Sequence, residues 1–241
     1  MSRINHKTPS RPPFKTLRGR LGRGELRLGV PKCYTRSVDK KQVYVYEHEG
    51  ALYVNLTSRC PTACEFCVKF SWDYMYRGKN LKLVGDPSVA DILAVTPDDL
   101  SVYREVVFCG YGESTYRIAE MKELCAAFRQ RGAKRLRLNT VGLGNLINGR
   151  NIAPELGSFL DVVSISLNTV NPDQYVKIMR PRPEFREKAL DSVKEFIREC
   201  VRHVPKTVVT GVELPGVDLT GVKEVAEAAG AVFRARPELE D

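Results

Sequence analysis

Residues 51–67 read ALYVNLTSRCPTACEFC: a short apolar run that ends directly in Cys60, Cys64 and Cys67. The run Leu52–Leu56 predicts a strand. The C-x3-C-x2-C spacing places three thiols in one loop at the end of that strand, where they can converge on one small inorganic centre. A structural zinc site asks for four closed ligands, and an ordinary electron-transfer cluster asks for four cysteines. No fourth ligand lies nearby in sequence; Cys109 and His48 are conceivable fourths on separate elements. Two readings therefore stand. One is a structural zinc with a distant fourth ligand. The other is a [4Fe–4S] cluster on three cysteines, with one iron left open to bind and activate something.

Outward from this loop, residues 42–57 alternate in β-branched and aromatic residues on both sides of Glu47–Gly50, which predicts two short strands. Residues 69–83, KFSWDYMYRGKNLKL, are aromatic and ambiguous in period. Asp86-Pro87-Ser88 is a helix start for residues 89–94, and Pro97–Leu100 begins a further helical turn. A rhythm follows. Strands are expected over 105–108, 135–138, 162–167, 207–212 and 231–233. The first of them is followed by a helix carrying Ile118, Met121, Leu124, Cys125 and Phe128 at helical spacing. Further helices are expected over 184–203 and 219–229. Strands alternating with helices imply a parallel sheet. About six such units are too few for a closed eight-fold barrel, so the expected fold is α/β, a partial (βα)6 parallel barrel. In parallel folds the chemistry lies in loops after the C-terminal strand ends. The cysteine loop and the turns CGYGE (109–113), NTVG (139–142) and SLN (166–168) all occupy that position, which predicts one shared site.

The chain has 241 residues, 43% of them hydrophobic, enough for one large domain with a buried core. No apolar run approaches the ~20 residues that span a bilayer, and no secretory signal is expected; no membrane partner is expected either. The seven cysteines are odd in number, which argues against a disulfide framework and for a reducing, cytoplasmic setting. The net charge of +9 divides unevenly: residues 1–45 carry 12 Lys/Arg against 2 Asp/Glu, and the remainder is nearly neutral. Two domains are expected: a basic N-terminal extension over 1–45 and a core domain over 46–241. The extension reads as a solvated tail or an upstream start, as an electrostatic arm for nucleic acid, or as a transit peptide, which its Gly and Pro content opposes. No role is assigned to Cys33; Cys109, Cys125 and Cys200 are expected in the core.

The cysteine motif, with aromatic Phe66 just before Cys67 and a strand just before the loop, resembles that of the radical S-adenosylmethionine (SAM) superfamily. The wider pattern YVNLTSRCPTACEFCVK, FCGYGE, RLNTVGLGN, VSISLN and ELPGVD, over about residues 43–237, is similar to the TatD-associated radical SAM proteins. The resemblance implies that Cys60, Cys64 and Cys67 ligate one [4Fe–4S] cluster and that SAM chelates the fourth iron. Reductive cleavage of SAM would yield methionine and a 5′-deoxyadenosyl radical, which abstracts hydrogen from an unidentified substrate. It also implies a low-potential electron donor such as flavodoxin or ferredoxin.

Gly112-Glu113 resembles the superfamily's Gly-Gly-Glu turn, whose carbonyls and carboxylate would hold the SAM ammonium; Tyr111 stands where the first glycine is usual. The alternative is a glycine turn whose Glu favours the next helix N-terminus. Ser166 and Asn168 resemble the ribose-binding polar residues, with strand-end capping as the alternative. Asn139 and Thr140 would face SAM or substrate, with Val141 in place of an expected asparagine. Phe66 would pack near adenine or in the core. Arg180, Arg182, Arg234 and Arg236 are either receivers of an anionic substrate or surface arginines. The absence of a second cysteine set predicts no auxiliary-cluster domain. Rival readings are a relative of the glycyl-radical activases or of the modified-purine synthases, and a non-catalytic metal-binding module whose basic arm takes nucleic acid.

Overall fold

The computed structural model describes residues 42–239. Expectations for the basic extension and Cys33 fall outside the described residues, apart from residues 42–45. β1 (Val45–His48) and β2 (Ala51–Val54) form the expected antiparallel hairpin. Its two loop residues, Glu49 and Gly50, have φ of 48° and 70°, the left-handed pair that a two-residue hairpin turn demands.

An insertion follows the cysteine loop. It comprises α1 (Val68–Ser71), the small hairpin of β3 (Met75–Tyr76) and β4 (Lys79–Asn80), and α2 (Val89–Ala94). The aromatic stretch with no clear period is thus a helical turn and a hairpin, with Arg77 and Gly78 at φ 48° and 77° as its loop. Ser88 caps α2 in a reciprocal box with Asp91.

The repeating part then runs β5 (Val106–Phe108), α3 (Ile118–Gln130), β6 (Leu136–Thr140), α4 (Gly144–Asn148), α5 (Ala153–Gly157) and β7 (Val162–Ser166). It continues with α6 (Pro172–Met179), α7 (Ala189–His203), β8 (Lys206–Glu213), α8 (Thr220–Ala229) and β9 (Val232–Pro237). The sheet order is β1-β2-β5-β6-β7-β8-β9. Every pair from β2 onward is parallel, so the fold is α/β with a mostly parallel sheet, as expected.

Three local expectations are revised. The long helix begins at Ala189, five residues after Glu184. Phe185, Arg186 and Lys188 each bond three residues back, so successive tight turns precede α7. The turn-rich 139–150 stretch contains α4, and α5 follows it; helices of five residues are too short to show a hydrophobic period. β9 continues through Arg234-Ala235-Arg236, which pair with Thr210, Gly211 and Val212 of β8. The two arginines masked that strand because they face away from the helices.

Side-chain alternation divides the sheet. Leu52, Val54, Val106, Phe108, Leu136, Leu138, Val163, Ile165 and Val209 are buried on one face. Against this face pack the apolar stripes of α3 and α7, including Phe128, Val193, Phe196 and Ile197. Burying each such side chain contributes roughly 1.5–3 kcal/mol. The register places Tyr53, Arg137, Asn139, Ser166, Thr210 and Arg236 on the opposite face, a more polar one that also carries Val107, Val162 and Val208. Among the described residues no helix is long and apolar enough to cross a membrane.

Candidate metal centre and cofactor pocket

The cysteine loop is clamped on three sides. At its start Thr57 Oγ1 donates to Asp86 at 2.6 Å and accepts from the Arg59 amide, while Arg59 pairs with Asp86 at 2.8 Å. In its middle the backbone pairs with the segment after α6: Ala63 N–H bonds Arg180 O, Glu65 N–H bonds Ile178 O, and Arg182 N–H bonds Pro61 O. From the β5 side, Glu113 N–H donates to Arg59 O at 2.7 Å. The buried guanidinium of Arg117 adds bonds to Leu56 O and Pro87 O, at 3.0 and 2.6 Å. These contacts fix the backbone of the loop that carries the three thiols.

Cys60, Cys64 and Cys67 are half-buried and free of disulfides. The Thr62 hydroxyl lies between two of them, 3.4 Å from Cys60 Sγ and 3.3 Å from Cys64 Sγ. Burial pushes the Cys64 thiol up to about 12 and raises Cys60, with the Thr62 hydrogen bond opposing both shifts. Such thiols ionise when a bound cation replaces the proton. Among the described residues, no three Cys, His, Asp or Glu side chains are grouped closely enough for a single metal ion. Neither conceivable fourth ligand joins the loop. His48 packs on Tyr76 and Tyr53, and Cys109 takes a hydrogen bond from Asn139. A cavity of ≈ 630 Å³ opens beside Cys60 and Thr62, with Lys69, Arg180 and Arg182 on its walls. Three thiols in one loop, two of them on a shared hydroxyl, with open space alongside, fit a cluster that keeps one position free better than a closed four-ligand zinc.

The turn after β5 is built around close approach. A Cβ on Gly112 would lie 2.2 Å from Thr57 O and 2.8 Å from Arg59 O; a Cβ on Gly110 would lie 2.1 Å from Asn55 Oδ1. Gly112 lets the turn press on the cysteine loop, and Gly110 lets it press on Asn55 at the end of β2. Glu113 is buried, and its carboxylate accepts four hydrogen bonds. Oε1 takes Thr115 N–H and Oγ1 at 3.1 and 2.9 Å; Oε2 takes Thr140 Oγ1 and Val141 N–H at 2.9 and 2.8 Å. Burial still holds its carboxyl above the usual range. Glu113 thus caps the following turn, as the simpler sequence reading had it, and also ties β5 to β6. Tyr111 departs from glycine because it seats the insertion: its ring meets Tyr74 edge-on at 5.9 Å and its hydroxyl donates to Met75 O.

The other expected residues separate into two groups. Asn139 and Ser166 lie half-buried on the polar sheet face; Asn139 Oδ1 has no partner, and Ser166 Oγ is 3.5 Å from Arg236. Asn168 is fully enclosed; its Oδ1 accepts from Val212 N–H at 2.9 Å and its amide nitrogen lies 3.1 Å from Met179 Sδ, so it braces β8. Phe66 is half-buried against the main core. Arg117 and Arg137 were not singled out in the sequence. Arg137 lay in plain view at an alternate position of a strand whose neighbours Leu136 and Leu138 are buried.

A family model described as the radical SAM superfamily matches residues 54–229. No curated protein matches the chain significantly. Among solved structures, TYW1 with a lysine–pyruvate adduct bound superposes with a TM-score of 0.55 at 14% identity, covering 79% of this chain and 65% of that one. SuiB of Streptococcus suis bound to S-adenosylmethionine gives a TM-score of 0.55 at 14% identity, covering 78% of this chain and 40% of that one. The chain therefore spans less than two thirds of either protein, and at this identity the likeness is one of fold.

Proposed function

The chain belongs to the radical SAM superfamily and is an enzyme of that class, and from that premise we propose that it binds one [4Fe–4S] cluster through Cys60, Cys64 and Cys67 and uses SAM for radical chemistry on a substrate still to be identified. The observation that carries this reading is the clamped strand-end loop with three free thiols and, among the described residues, no fourth ligand joined to it. When bound, the cluster and SAM supply reductive cleavage of a sulfonium bond and a species able to abstract hydrogen.

The chain's own residues hold and enclose that chemistry. The Gly112 turn, pressed against Thr57 and Arg59, would offer backbone carbonyls to the SAM ammonium, with Glu113 fixing the turn from behind. Ser166 and Asn139 would reach ribose or substrate hydroxyls, and Asn168 would hold the adjoining wall through Val212. The half-buried Phe66 stands beside Cys67 as the candidate neighbour of adenine. The cationic Lys69, Arg180 and Arg182 beside Cys60 suit docking of an acidic, low-potential donor of the flavodoxin or ferredoxin kind. The narrower kinship with TatD-associated radical SAM proteins rests on the motif pattern. A three-quarter barrel is supported by the sequential strand order, and by Arg236 of β9 lying near enough to influence Cys109 after β5. Unpaired cysteines suit a reducing compartment such as the cytoplasm.

Anaerobic reconstitution followed by a SAM-cleavage assay with a strong reductant tests the reading. Roughly four iron per chain and formation of 5′-deoxyadenosine are expected. A full complement of iron without any 5′-deoxyadenosine would refute it.

A further inference from the structure

Three buried polar atoms on the polar sheet face have no partner: Arg137 Nε, Asn139 Oδ1 and Arg236 Nε. Arg137 has a compensating carboxylate, Glu105 at 3.3 Å. Arg236 has none: among the described residues it takes part in no ion pair. Among the described residues its only side-chain hydrogen bond is a long one to Ser166 Oγ at 3.5 Å. Burial lowers its pKa, and two further cations, Arg234 and Arg137, lower it as well. The Nε edge of this half-buried guanidinium is withdrawn from water among like charges, which is unfavourable until an anion meets it. Its planar fork matches a carboxylate or phosphate with two parallel hydrogen bonds. Asn139 complements it: its amide hydrogen goes to the Cys109 thiol, which leaves Oδ1 to accept from a hydroxyl or amine.

Of the arginines nearer the cysteine loop, Arg59 pairs with Asp86 at 2.8 Å and Arg180 with Glu65 at 3.5 Å, while Arg182 lines the cavity beside Cys60, on the side already assigned to the electron donor. Arg236 stands on β9, the strand farthest in the sheet order from the β1–β2 edge that leads into the cysteine loop. We propose that Arg236, with Ser166 beside it, binds the anionic group of the substrate, and that Asn139 Oδ1 accepts a hydrogen bond from a neighbouring hydroxyl or amine. The substrate class is a small carboxylate or phosphate bearing an adjacent hydrogen-bond donor. This deepens the radical SAM reading and depends on it only for calling the ligand a substrate.

The test is calorimetric titration of cluster-loaded, SAM-saturated protein at low salt with four probes: glycerate, serine, glycerol 3-phosphate and ribose 5-phosphate. At least one should bind, and the pattern tells carboxylate from phosphate. Arg236→Met should weaken that binding about 10- to 100-fold, the loss of a charge-assisted pair. Arg236→Lys, which keeps the charge and loses the fork, should fall between, and Ser166→Ala should weaken binding by a smaller factor. SAM affinity should be unchanged in Arg236→Met and Arg236→Lys. Failure of every probe to bind the wild type, equal affinity in wild type and Arg236→Met, or a matching loss of SAM affinity would each overturn the proposal. Titration reads binding alone, so a protein that binds a probe but forms no 5′-deoxyadenosine would refute the catalytic reading and leave this one standing.

Discussion

Replacing Gly112 by alanine tests the tightest contact in the site. The new Cβ would sit 2.2 Å from Thr57 O and 2.8 Å from Arg59 O, both backbone atoms that no rotamer change can move aside. The turn after β5 must then retreat from the cysteine loop, which breaks the 2.7 Å bond from Glu113 N–H to Arg59 O. Leaving such a group unsatisfied costs about 1–3 kcal/mol, and overpacking costs about 1–3 kcal/mol more. The expected loss is therefore roughly 2–6 kcal/mol, a large part of the ~5–15 kcal/mol typical of a folded domain. Gly149→Ala is the control. Gly149 has φ 63° with nothing within 4 Å of its added Cβ, so only left-handed strain of about 1–2 kcal/mol applies. Urea unfolding of the two variants, with iron content and SAM affinity after reconstitution, reads both effects. Gly112→Ala should lose the greater stability and also bind SAM poorly; Gly149→Ala should keep its cofactors. A Gly112→Ala protein with wild-type midpoint, iron and SAM affinity would show that the close approach does not matter.

Cys64→Ala should abolish the iron–sulfur absorbance and SAM cleavage; retention of either would contradict its assignment as a ligand. Tyr111→Phe removes only the bond to Met75 O and should cost about 1 kcal/mol. Tyr111→Ala also empties the aromatic seat of the insertion and should cost about 3–5 kcal/mol; equal costs in thermal unfolding would mean that the ring does not hold the hairpin. Glu113 has a folded pKa raised by burial. Its contribution to stability is therefore full below the ordinary carboxylate pKa and is lost as pH rises through the folded value. The stability difference between wild type and Glu113→Gln should fall from acid towards neutral pH, and a difference that grows would reverse the sign of that shift.

The sequence alone determined the chemistry-bearing loop and the class of fold. Three cysteines within eight residues need no long-range information to be read, and strand–helix alternation is a local period that survives in the string of letters. The two strands on either side of Glu47–Gly50 and the helix start at Asp86–Ser88 were legible for the same reason, because their partners lie within a few residues. The roles of the polar residues were decided only in three dimensions. Glu113 looks like a cofactor ligand in sequence, yet its carboxylate is taken up by Thr140 and Val141 from the next strand as well as by Thr115. Asn168 looks like a free strand-end amide, yet it is closed in by Val212 and Met179. In sequence Arg236 is either a receiver of an anionic substrate or a surface arginine, and only β-pairing with β8 shows that it comes near Ser166, 70 positions away. A side chain's hydrogen bonds depend on which strands become neighbours and which face each residue takes. Sheet order and register settle both, and neither is written in any short stretch of the chain.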